Sequence, residues 1–63
     1  MNLSERQLET LRNMSEGMTV KRVARLHGTS PGTVKSCLRI VRLKMGAAST
    51  AQAVAMAVRS GLL

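Results

Sequence analysis

Helix start and stop signals recur at short intervals along this 63-residue chain, and they constrain its fold more than any other feature. Ser4 and Gln7 have the spacing of a capping box, and Gly17 ends the helix that follows them. Ser49 and Gln52 repeat the capping-box spacing later in the chain. Such signals predict four helices, with N-caps at Ser4, Ser30 and Ser49 or Thr50, with Thr19 starting the second helix, and with stops at Gly17, His27-Gly28, Gly46 and Gly61. No segment alternates apolar and polar residues with period two, so we predict an all-α fold, a four-helix bundle.

Length and amino-acid usage limit the chain to one small domain, residues 1–63. It contains no Phe, Tyr or Trp, so its core must be built from Leu, Val, Met, Ile and Ala. Its single cysteine, Cys37, cannot form an internal disulfide, which favours a reducing compartment. The first residues carry charges where a signal peptide would be apolar, and no apolar run reaches the roughly eighteen residues of a membrane span. We therefore expect a cytoplasmic protein that does not cross a membrane.

The chain is strongly basic, with 10 Lys and Arg against 3 acidic residues and a formal net charge of +7. A charge of this size attracts polyanions and says little about the fold. The candidate partners are nucleic acid, an anionic membrane surface and an acidic protein. A membrane-active helix fits poorly, because short capped helices do not form one long amphipathic face.

The predicted third helix has an apolar side and a basic side. At about 100° per residue, four apolar residues share a stripe about 60° wide: Val34, Leu38, Val41 and Met45. The opposite side carries Gly32, Lys35, Ser36 and Arg39, with Arg42 on the flank. The short helix before it and the Gly28-Thr29 turn complete the pattern of a helix-turn-helix, whose second helix enters the major groove of DNA.

The residues on the basic side supply the donors that recognition of base edges requires. Arg39 can bind guanine O6 and N7 together through its planar fork, Lys35 supplies a mobile charge, and Ser36 can donate or accept. Phosphates are the predicted partners of residues at the starts of the second and third helices and on the flank, namely Thr19, Lys21, Ser30, Thr33 and Arg42. The alternatives are a merely solvated face for the basic residues and a purely capping role for Thr33.

The sequence lacks the patterns of catalytic and metal sites. His27 has no Cys, Asp or second His at ligand spacing, so no metal is expected. Cys37 lies at the edge of the apolar stripe and fits a small buried residue better than a redox sensor. A catalytic cysteine would need a base and an orienting group. We predict a protein that is not an enzyme and uses no cofactor.

Several short motifs, in order along nearly the whole chain, resemble the LuxR-type (GerE-like) DNA-binding domain. The most specific are Thr33-Val34-Lys35 and Lys44-Met45-Gly46 at their mutual spacing, preceded by Glu16-Gly17-Met18-Thr19 and followed by Gly61-Leu62-Leu63. Most members of that family carry a separate receiver or ligand-sensing domain, and this sequence has none. It is therefore either a free-standing regulator or a fragment of a larger one.

The resemblance implies a four-helix bundle whose third helix reads the major groove. It also implies a regulator of transcription, usually a dimer formed through the fourth helix. The base-contacting positions of the family match Lys35, Ser36 and Arg39. Its backbone-contacting positions match Thr19, Val20, Lys21 and Thr33.

The chain departs from the family pattern at five positions. His27 stands where leucine is common, so we expect that corner to pack differently, and Cys37 stands where histidine is frequent. Gly32 replaces a usually polar residue, which would remove one contact. Ile40 and Leu43 are apolar on the outward side of the third helix, which suggests a contact with a partner protein or a neighbouring subunit.

The fourth helix has more apolar surface than one side of a small bundle needs. Its apolar arc is about 200° wide, whereas packing on its own core requires about 100°. The resemblance places Ala53, Val54 and Ala57 inward. A second stripe remains at positions i, i+4 and i+7, formed by Ala51, Ala55 and Val58. It is either a homodimer interface or simply an alanine-rich helix surface.

The sequence therefore predicts sequence-specific binding of double-stranded DNA and regulation of transcription as a homodimer. The alternative is a small interaction protein that pairs with a full-length LuxR-type regulator and blocks it. Mixing the chain with random duplex DNA at low salt separates the two, because a decoy that does not bind DNA shows no salt-sensitive association.

Overall fold

The computed structural model describes residues 2–63, and these residues form four helices and no strand. The helices are α1 (Glu5–Ser15), α2 (Val20–His27), α3 (Pro31–Met45) and α4 (Thr50–Arg59). The helices α1, α3 and α4 begin directly after N-caps that the sequence predicts, α2 begins directly after Thr19, and the all-α prediction is confirmed.

The first predicted capping box is present, and the second is only half formed. Ser4 Oγ accepts from the Gln7 N–H at 3.1 Å, and Gln7 Oε1 accepts from the Ser4 N–H at 3.0 Å. Ser49 Oγ likewise accepts from the Gln52 N–H at 3.0 Å, but Gln52 Oε1 accepts from the Ala48 N–H. The prediction of a full second box was wrong. Ser49 has φ −150° where Ser4 has φ −69°, and this more extended backbone places the preceding peptide differently.

The turn between α2 and α3 depends on a glycine in the left-handed region. Gly28 has φ 65° and ψ 37°, a conformation that side chains with a Cβ adopt only with strain. The turn is closed by the Thr29 N–H, which donates to the Ala24 carbonyl at 2.9 Å. This short connection sets α3 across α2 in the helix-turn-helix arrangement.

Two apolar clusters hold the bundle together, and α3 contributes to both. The first joins α1, α3 and α4 and contains Leu11, Val41, Met45, Ala53 and Ala57. The second joins α2 to α3 and contains Val23, Ala24, Val34 and Leu38. All four residues of the predicted apolar stripe of α3 are buried, which confirms the predicted inward face.

The corner at the end of α2 is polar inside rather than apolar. The side chain of His27 is only 4% exposed. The Asn13 amide donates to its Nε2 at 3.1 Å, and a carboxylate oxygen of Glu9 lies 3.4 Å from the same nitrogen. The different packing predicted at this corner is therefore a hydrogen-bonded contact between α1 and α2.

Candidate nucleic-acid interface

The outward side of α3 presents the three predicted base-contacting residues to solvent. Lys35, Ser36 and Arg39 are all exposed, whereas Val34 and Leu38 on the opposite side are almost completely buried. The buried stripe fixes the rotation of the helix, so its polar face cannot turn inward. The result is a helix with hydrogen-bond donors along one accessible side.

The first turn of α2 offers both side-chain and backbone groups to an anion. Thr19 Oγ1 accepts from the Arg22 N–H at 3.1 Å and so caps the helix. The N–H groups of Val20 and Lys21 precede the first intrahelical hydrogen bond and have no carbonyl four residues back in the helix. The Val20 side chain packs against the α2–α3 cluster, so its backbone is the part available to a ligand. Lys21 is exposed beside it.

The first turn of α3 is open in the same way. Ser30 Oγ accepts from the Thr33 N–H at 3.2 Å and lies 3.0 Å from Thr33 Oγ1, so the two hydroxyl groups engage each other. A Cβ built on Gly32 would meet only Ser30 Oγ, at 3.8 Å. A phosphate could therefore approach the backbone of this turn closely, and the missing side chain at Gly32 is a gain in access rather than only a lost contact.

Arg42 is less free than the other basic residues of α3. It is half-buried, and its guanidinium donates to Thr50 Oγ1 at 3.2 Å. This hydrogen bond joins α3 to the start of α4. The remaining donors of the guanidinium stay available, because an arginine has five N–H groups and this contact uses one.

Positive charge is concentrated on α2 and α3. Three of the ten basic residues lie in α2 and four in α3, and neither helix contains an acidic residue. The three acidic residues, Glu5, Glu9 and Glu16, all belong to α1 or its C-cap. The helix-turn-helix therefore carries a net positive charge, which raises the local concentration of a polyanion and speeds its association.

The structure also shows basic residues whose positions the sequence analysis did not assign. Arg22 and Arg25 line a shallow groove on α2 together with Met18, Lys21 and Leu26. The spacing of Lys21 and Arg25 at i and i+4, and of Arg22 and Arg25 at i and i+3, could have indicated a shared helix face. Lys44 donates to the Asn2 carbonyl and to Gln7 Oε1, an α1–α3 contact across 37 or more residues that no local pattern predicts.

Other chemistry finds little support in the part of the chain that the structure describes. Residues 2–63 contain no group of three His, Cys, Asp or Glu side chains that could hold a metal ion. Cys37 is half-buried, so the expectation of a buried cysteine was wrong. It lines a small cavity between α1 and α3, because it lies at the edge of the apolar stripe rather than within it. No helix among the described residues is long and apolar enough to cross a membrane.

A short capped helix, a glycine turn and a second helix with a basic, hydrogen-bonding face define a helix-turn-helix DNA-binding domain. Residues 1–57 match the GerE family, described as bacterial regulatory proteins of the luxR family. The chain belongs to this family, so it is a DNA-binding regulator of transcription rather than a member of an enzyme family. No curated protein and no solved structure shows a significant match to the chain.

Proposed function

We propose that this chain binds double-stranded DNA sequence-specifically as a homodimer, with α3 in the major groove. Lys35, Ser36 and Arg39 contact base edges, because they are the exposed polar residues opposite the buried stripe of α3. This separation of a buried apolar side from an exposed basic side is the observation that carries the proposal. A DNA ligand also fits the cytoplasmic location expected from the sequence.

Phosphate contacts hold the domain in register. They come from the first turns of α2 and α3 and from the flank of α3, through Thr19, Val20, Lys21, Ser30, Thr33 and Arg42. Val20 contributes its backbone N–H, because its side chain packs against the α2–α3 cluster. Ser30 and Thr33 cap α3 and contact phosphate with their remaining hydrogen-bonding capacity.

Substituting one proposed base-contacting residue and one proposed phosphate-contacting residue tests how the contacts are divided between α3 and α2. Arg39→Ala should weaken binding to the preferred site by about 1–3 kcal/mol and relax the choice of base there. Lys21→Ala should weaken binding to all sequences nearly equally, because a lysine on a phosphate carries no sequence information. Electrophoretic mobility shifts on the selected site and on single-base variants measure both effects.

The two variants serve as controls for each other, since each removes one exposed positive charge. The opposite pattern, with base preference changed by Lys21→Ala and untouched by Arg39→Ala, would reverse the roles of α2 and α3. Equal losses of affinity for all DNA sequences in both variants would show that Arg39 of α3 does not contact a base.

The homodimer rests on the outward side of α4. Ala51, Ala55 and Val58 are all exposed, with Val58 57% exposed, whereas Ala53 and Ala57 are completely buried. The exposed stripe has small residues at two of its three positions, which lets a second helix approach closely. An interface formed by these three residues is small, so we expect the protomers to associate weakly in solution. Association should strengthen when two half-sites on DNA hold the protomers together.

Val58→Glu should abolish the dimer, because it places like charges opposite each other across a two-fold axis. Binding to a two-half-site operator should fall far more than binding to a single half-site, and the helix content measured by circular dichroism should not change. Arg59→Gln is the matched control, since it lowers the net charge by the same amount at the neighbouring exposed position. Equal losses on both DNAs, or an unchanged dimer in sedimentation, would exclude α4 from the interface.

The exposed stripe of α4 also favours a second candidate, pairing with a full-length LuxR-type regulator to block it. The decoy requires the same surface as the homodimer but no DNA contact. It predicts co-elution with such a regulator and no salt-sensitive binding of this chain to duplex DNA.

A further inference from the structure

Two large apolar side chains lie exposed on the outer side of α3. Ile40 is 42% exposed, and Leu43, at 72%, is the most exposed large apolar residue among those described. Neither belongs to the two apolar clusters of the bundle. Leaving them in water gains nothing for folding, because burial of apolar area is what stabilises a core.

These two residues continue the face that the proposed function assigns to base reading. Ser36, Arg39, Ile40 and Leu43 have the spacing i, i+3, i+4 and i+7, which places them along one side of a helix. Recognition helices that lie along the major groove, such as those of homeodomains, contact bases with this same spacing. From Ser36 to Leu43 the helix rises about 10 Å, close to three base-pair steps.

The position of the reading residues within α3 favours contact beyond Arg39. Lys35, Ser36 and Arg39 occupy the fifth, sixth and ninth positions of a 15-residue helix. DNA is therefore met by the middle of the helix and not by its first turn alone. A straight helix held at its middle keeps the next turn, which carries Ile40 and Leu43, close to the groove.

The chemistry of the groove identifies what these side chains would touch. A leucine or isoleucine cannot hydrogen-bond to a base, and the apolar group that a base pair presents in the major groove is the 5-methyl of thymine. Arg39 and Arg42 lie beside the two apolar residues in sequence; Arg39 is assigned to a base edge, and Arg42 suits a phosphate on the groove wall. We propose that Ile40 and Leu43 form a thymine-methyl subsite that extends the base-reading face of α3. This inference rests on the proposed binding of DNA by α3.

Removing single methyl groups from the DNA tests the subsite. Binding sites are first selected from a random duplex pool, and each thymine of the preferred site is then replaced by uracil, which lacks only the methyl. Affinity should fall about fourfold at one or two thymines next to the base read by Arg39, the effect of losing one buried methyl-sized group. Replacement by 5-bromouracil, whose bromine is methyl-sized, should restore the affinity.

Variants of the protein should remove the discrimination. Leu43→Ala and Ile40→Ala should bind thymine and uracil duplexes with more nearly equal affinity. Each variant should lose discrimination at the thymine that the substituted side chain contacts. Leu26→Ala, which shortens an exposed leucine on α2, is the matched control and should discriminate as the unsubstituted protein does.

Three results would overturn the subsite: a selected site without thymine at these positions, uracil accepted without loss, or discrimination that persists in both α3 variants. A change of oligomeric state in Leu43→Ala with no effect on methyl discrimination would show that the patch binds protein instead. These failures differ from failure of the proposed function. If only the subsite fails, Arg39→Ala still relaxes base choice. If the proposed function fails, no sequence-specific binding is seen at all.

Discussion

Raising the salt concentration from 50 to 200 mM is expected to weaken binding to a two-half-site DNA by about 10,000-fold. α2 and α3 together carry seven basic residues and no acidic residue, so their charge attracts the polyanion. If each protomer neutralises about four phosphates, counterion release gives a log–log slope of roughly −7 for the dimer. Fluorescence anisotropy over a salt series measures this slope.

Two variants calibrate the salt experiment. Lys21→Ala removes one phosphate contact per protomer, so the slope of the dimer should become shallower by about 2. Val58→Glu on a single half-site should show about half the slope, because one protomer binds. A slope near zero in the unsubstituted protein would exclude DNA as its physiological polyanion and would favour the decoy.

Leu11→Ala is expected to remove most of the stability of the fold. Leu11 is completely buried in the α1–α3–α4 cluster, which also contains Val41 and Ala53. Truncation of a buried leucine costs about 2–5 kcal/mol, and a domain of this size rarely has more than about 3–5 kcal/mol to lose. The chain has no aromatic side chain that could move into the cavity. Urea denaturation followed by circular dichroism measures the free energy of unfolding.

Leu26→Ala is the control for this experiment, because Leu26 is 58% exposed and the same atoms are removed. Its free energy of unfolding should change by no more than about 0.5 kcal/mol. Similar losses in the two variants would mean that Leu11 is not the centre of a packed core.

The start of each helix could be predicted from the sequence because capping is a local interaction. Ser4, Thr19, Ser30 and Ser49 each accept a hydrogen bond from the N–H three residues later, so the pattern needs only four consecutive residues. The inward side of α3 was equally predictable, because helical geometry alone decides which residues share a side. The exposure of Ile40 and Leu43 follows from the same geometry.

The predictions that failed depend on the backbone conformation at one residue or on how closely a neighbouring helix approaches. Gln52 has the right spacing for a capping box, but its side chain bonds to Ala48 because of the extended backbone at Ser49. Cys37 lies at the margin of the apolar stripe, where burial depends on how closely α1 approaches. Its half-exposure could not be read from periodicity.

The sequence by itself determined the four helices and the face that α3 turns to the core, because these follow from capping within one turn and from helical periodicity. The tertiary structure alone decided which distant residues meet. It placed the His27 imidazole against Asn13, 14 residues away, and it brought Lys44 to the carbonyl of Asn2, 42 residues away. Such pairs form only when helices pack at a particular angle against shared apolar clusters. The free energy that determines this angle comes from contacts across the whole core, so no short motif predicts it.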